Sequence, residues 1–60
     1  MMEVRADVLE PGDVVAVGDR LLEVVVVWNR QSIDGMVRVV LADESRHTCA
    51  PAELWEVARG

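Results

Sequence analysis

His47 and Cys49 stand two residues apart, so on a β-strand they would share one face, as the beginning of a metal site or of a thiol with its base. Neither chemistry is completed nearby. Zinc takes three or four protein ligands, and the nearest carboxylates, Asp43 and Glu44, sit in a turn-forming segment without ligand spacing. Side chains at i and i+2 lie about 6 to 7 Å apart along a strand, too far for an imidazole to take a proton from a thiol. The expectation is a partly buried Cys49 and a surface His47. Asp7, Glu10 and Asp13 flank a Pro-Gly pair and could be read as paired acid and base, but Asp13 is better suited to cap the turn through its backbone. Gly12, Gly18 and Gly35 are separate turn residues, with no glycine-rich phosphate loop among them. No catalytic residue, no metal and no cofactor is therefore expected, and the chain does not read as an enzyme.

The cations point the same way. Arg5, Arg20, Arg30, Arg38, Arg46 and Arg59 are the only basic side chains, Lys is absent, and eleven carboxylates surround them to give a formal charge of −5. Affinity for phosphate backbones comes from clustered Lys and Arg, so nucleic acid is not the expected partner. Were it one, Arg20, Arg30 and Arg46 on the loops would carry the contact. A further alternative is an acidic decoy that occupies a nucleic-acid-binding protein. Arg without Lys suggests the codon bias of a GC-rich genome.

With 60 residues there is room for a single domain, 1–60, whose one core supplies roughly 3 to 5 kcal/mol. Small domains reinforce such cores with disulfides, metals or self-association. A lone Cys49 cannot close an internal disulfide, which leaves self-association and favours a homo-oligomer. Apolar residues make up 52% of the chain, with Trp28 and Trp55 as the only aromatics and valine as the main filler. Valine is stiff at χ1 and suits a pleated surface. No charged segment followed by an apolar one opens the sequence, and the apolar run 24–28 is too short to span a bilayer. A cytoplasmic protein that does not engage membranes is expected.

These preferences, with turn signals recurring every eight to twelve residues, predict an all-β chain. Pro11-Gly12 marks a type II turn, since Pro presets φ at its second position and Gly supplies positive φ at its third. Strands are predicted at 3–6, 13–17, 21–28, 36–41, 46–49 and 55–58, with a hairpin connection at 18–20 and turns at 29–35 and 42–45. Pro51 opens what reads as one helical turn over 51–54. Four consecutive valines, 24–27, are poor helix formers and belong to the strongest strand.

The pattern Val4-x-Ala6-x-x-Leu9-x-Pro11-Gly12-Asp13-x-Val15-x-Val17, followed by Leu22-x-Val24 and Pro51-x-x-Leu54-x-x-Val57, resembles small SH3-like β-barrel proteins of actinobacteria and their phages. The resemblance spans nearly the whole chain. It implies a barrel of five to six short antiparallel strands with a helical turn before the last. It implies little about activity, because most such relatives have no assigned function. Tudor-type methyl-lysine readers share this fold type but need a cage of several aromatics, which two tryptophans do not build.

Side chains alternate along a strand, so a charged residue labels the parity of its neighbours. Glu23 facing water sends Leu22, Val24, Val26 and Trp28 inward and Leu21, Val25 and Val27 outward. Arg38 likewise sends Val37, Val39 and Leu41 inward and Met36 and Val40 outward. Paired as a hairpin, the two strands would place Val25, Val27, Met36 and Val40 on one outer apolar face. The alternative is a bent barrel strand whose two faces are buried in different halves. A large exposed apolar patch marks an interaction site, and a Trp at a barrel rim is a favoured anchor. The expected interface is therefore Val25, Val27, Met36, Val40, Trp28 and Trp55 together with the loop following Trp28, and the expected activity is binding a protein partner or a second copy.

Overall fold

The computed structural model describes residues 2–28 and 35–58. They form six antiparallel strands: β1 (Met2–Arg5), β2 (Val14–Val17), β3 (Arg20–Trp28), β4 (Val37–Leu41), β5 (Arg46–Cys49) and β6 (Leu54–Val57). The strands join in one open sheet of order β1-β6-β2-β3-β4-β5. The architecture is all-β and is consistent with a small SH3-like barrel. Among the described residues no helix is long and apolar enough to cross a membrane.

The long strand β3 belongs to both halves of the sheet. Its first part pairs with β2, from Val17↔Arg20 to Val14↔Glu23, and its last part pairs with β4, from Val24↔Leu41 to Trp28↔Arg38. The sheet folds over along this strand, so one side becomes interior. Val4, Ala6, Leu9, Val15, Val24, Val37, Val39, Leu41, Cys49 and Val57 fill it, with Val17, Leu22, Val27 and Trp55 packed against them. Each buried valine contributes roughly 1.5 to 3 kcal/mol relative to exposure, and short branched side chains suit an interior this narrow.

The turn at Pro11-Gly12 forms as its sequence predicts. Gly12 has φ +98, the sign a type II turn demands at its third position. The Asp13 amide donates to the Glu10 carbonyl at 3.1 Å and the Asp13 carboxylate accepts the Glu10 amide at 3.0 Å. The turn is also tied to β3, because Gly12 N–H donates to Val24 O and Val24 N–H to Asp13 O, at 2.8 and 2.7 Å.

One element is placed differently from expectation. The segment following Pro51 makes a single four-residue turn, closed by Glu53 N–H donating to Ala50 O at 3.0 Å, and strand pairing resumes at Leu54. The backbone groups here are claimed across the sheet: Pro51 O accepts from Asp7 N–H and Glu53 O from Ala6 N–H. Helical turns cannot propagate while their carbonyls bond laterally. Among the described residues the one 3-10 turn instead follows β1, at Ala6–Val8, closed by Leu9 N–H on Ala6 O.

Candidate protein-interaction face

The outer face of the candidate site is decided by one irregularity in β3. Val24 pairs with Leu41, but the next pairing is Val26 with Val40, so Val25 is an extra residue and the register shifts there. Such a bulge reverses which side the following residues face. Val24 is fully buried, Val25 bulges out at 51% exposure, Val26 is 40% exposed, Val27 turns inward onto the core, and Trp28 points out at 67% exposure. Strict alternation placed Val26 and Trp28 inside and Val27 outside. The bulge corrects all three positions.

β4 keeps the alternation labelled by Arg38. Val37, Val39 and Leu41 are buried, Arg38 is exposed and Val40 half-buried. β5 follows in register, with Val40↔Arg46 and Arg38↔Thr48. The outer face is therefore two cross-strand rows, Val26–Val40–Arg46 and Trp28–Arg38–Thr48. A shallow groove of about 460 Å³ runs between these residues. Two of the chain's six arginines lie on it. Among the described residues of these rows there is no carboxylate, although the chain as a whole is strongly acidic.

The six residues expected to form the interface therefore do not come together as one set. Trp28 and Val40 lie on this face. Val25 is exposed at the bulge, Met36 is half-buried just before β4, and Val27 faces the interior. Trp55 packs against the core from β6, with its ring edge-on to His47 at a centroid distance of 5.7 Å. The loop after Trp28, including Arg30, lies outside the described residues. Reasoning from alternation missed Val26, Arg38 and Arg46, which only the pairing of β3, β4 and β5 brings together; the outward charge of Arg38 was the one signal of that face in the sequence.

His47 and Cys49 do share a side of β5, and both reach the interior seam against β6. Burial raises the Cys49 thiol above its usual value of 9.0, and the nearby Trp55 indole opposes that rise in part. The Trp55 Nε1 itself is buried and finds no hydrogen-bond partner, so its contact with sulfur is loose. The thiol points to the Val37 carbonyl at 3.7 Å, and His47 meets the Ser45 hydroxyl at 3.1 Å. Thiol and imidazole thus look to different partners. Among the described residues no group of three or more His, Cys, Asp or Glu side chains is close enough together to hold a metal ion. Asp43 has its carboxyl below the ordinary carboxylate range, held there first by the Ser45 hydroxyl and backbone amide and to a lesser degree by Arg20 at 3.5 Å. It organises the β4–β5 turn.

No protein-family model matches the chain, and neither a curated protein nor a solved structure matches it.

Proposed function

We propose that the chain is a non-enzymatic, cytoplasmic protein-interaction module that binds through the outer face of β3, β4 and β5. The observation that carries this reading is the 67% exposure of Trp28 in register beside Arg38, with Val26 and Val40 alongside. Tryptophan and arginine are the residue types most enriched at binding hot spots. Leaving an indole in water forfeits the burial energy that a chain of this size needs. Its Arg-only cations and Leu-x-Pro-Gly-Asp-x-Val pattern support an origin in actinobacteria or their phages.

Affinity capture with the wild-type chain and with Trp28→Ala as paired baits tests the reading. A protein retained by the first bait and lost from the second is the expected result; identical capture by both overturns it. A second reading, single-stranded nucleic acid stacked on Trp28 with Arg46 on its phosphates, draws on the same exposed aromatic. Retention of labelled oligonucleotides in a low-salt filter assay would replace the first reading with this one. The net charge of −5 argues for the protein.

A further inference from the structure

The other half of the sheet presents an outer face of opposite character. On β1 and β6 the outward residues are Glu3, Arg5, Leu54 and Glu56, and on β2 and β3 they are Val14, Ala16, Leu21 and Glu23. Arg5 is already neutralised by Asp7, to which it donates two hydrogen bonds at 3.1 and 2.9 Å. Glu3, Glu23 and Glu56 remain, beside the exposed Leu21 and Leu54. Glu3 stands directly opposite Glu56, and like charges opposite one another on adjacent strands are destabilising. One step along from the Val15↔Val57 pairing, Glu56 neighbours the small Ala16.

The small residues leave a hollow. A depression of about 490 Å³ is bordered by Ala16, Gly18, His47, Leu54 and Trp55, with the carboxylates of Glu53 and Glu56 beside them. Small, aromatic and acidic side chains share its lining. The face carrying Trp28 is its counterpart, with a projecting indole, valines beside it and arginines in place of glutamates. The two depressions lie on different strands, β2 and β6 for the hollow and β3 and β4 for the Trp28 groove, and share only His47 of β5.

Resting on the reading of the Trp28 face as a protein-binding surface, we propose that one occupant of that face is a second copy of this chain, joined head to tail. Trp28 of one copy seats in the Ala16–Leu54 hollow of the next, while Arg46 approaches Glu53 and Glu56. The contact is heterologous, so it propagates into a ring or an open filament and does not close as a two-fold dimer. A two-fold pairing of the Trp28 face with itself would set arginines against arginines. The head-to-tail contact relieves the Glu3/Glu56 repulsion instead.

Sedimentation of two variants, separately and mixed, tests the arrangement. Trp28→Ala removes the knob and Leu54→Lys blocks the hollow; both positions are exposed, and circular dichroism checks that each variant folds. Wild type is expected to form species larger than a dimer at high concentration and low salt, and each variant alone to be monomeric. An equimolar mixture is expected to give a one-to-one dimer and nothing larger, since each variant retains one working face. Wild type that stays monomeric at every concentration overturns the proposal, as does a mixture that forms no dimer or a Leu54→Lys chain that still associates alone. The capture experiment with the Trp28→Ala bait keeps its own outcome in all of these cases, so the wider binding role and the self-assembly fail separately.

Discussion

Trp28 and Cys49 are opposite cases of a side chain in an unusual setting. Trp28 contributes little to the fold because most of its surface is already in water. Trp28→Ala should change unfolding free energy by no more than about 0.5 kcal/mol, as read by chemical denaturation, while removing partner capture. A large loss of stability would show that the indole belongs to the core. Cys49 is buried with its thiol raised above 9.0 by desolvation. The folded state therefore keeps its proton at pH values where the unfolded chain has released it. Its titration makes no difference to stability well below the ordinary thiol value, and stability falls as pH climbs above that value. Denaturation midpoints measured from neutral to alkaline pH should show that decline in wild type and a shallower one in Cys49→Ala. At neutral pH a thiol reagent should label Cys49 slowly in the native protein and rapidly after unfolding.

At the scale of elements, the β3 bulge and the β4–β5 turn make the sharpest predictions. With Val25 extra, Val26 faces water and Val27 the core, so Val26→Asp should be tolerated within about 1 kcal/mol. Val27→Asp should cost about 3 kcal/mol or more, because it pushes an unpaired charge towards the interior, and should leave little of the chain folded. Thermal denaturation of the pair decides it; the reverse order of stabilities would restore strict alternation. In the β4–β5 turn Glu44 adopts φ +70, a left-handed conformation that costs a side-chain-bearing residue roughly 1 to 2 kcal/mol. Glu44→Gly should raise stability by up to about 1 kcal/mol after the added unfolded-state entropy is allowed for, and a decrease would contradict that account.

The same elements show what the sequence made legible. The strands, the Pro11-Gly12 turn, the all-β class and the parity of β4 follow from residue types that differ between core and surface. The face of β3 beyond Glu23 does not, because four successive valines look the same in either register and no charged residue labels them. A one-residue bulge there inverts every later position without leaving a mark in composition. Trp28 and Val40 could be named as interface residues from the sequence, but Val26, Arg38 and Arg46 required the pairing of β3, β4 and β5. The turn after Pro51 misled for a related reason: its carbonyls are taken by Ala6 and Asp7, partners more than forty residues away in sequence.

For the whole molecule, a single narrow core and a charge of −5 set stability and association against each other. A chain with roughly 3 to 5 kcal/mol of its own stability gains measurably from any contact made only by the folded state. The unfolding midpoint of wild type should accordingly rise with protein concentration, whereas that of Trp28→Ala should stay constant. Equal, flat midpoints for both would speak against association. Added salt should reduce the concentration dependence, because arginines facing glutamates are screened.

The seam where Trp55 lies against His47 and Cys49 also gives the two indoles separate optical identities. A neighbouring sulfur quenches tryptophan emission, so native fluorescence should come mainly from the solvent-exposed Trp28, and Trp28→Ala should be dim until it unfolds. Emission from Trp55 then reports the opening of the barrel, and emission from Trp28 reports whatever settles on its outer face. One spectrum can thus follow folding and docking as two distinguishable events.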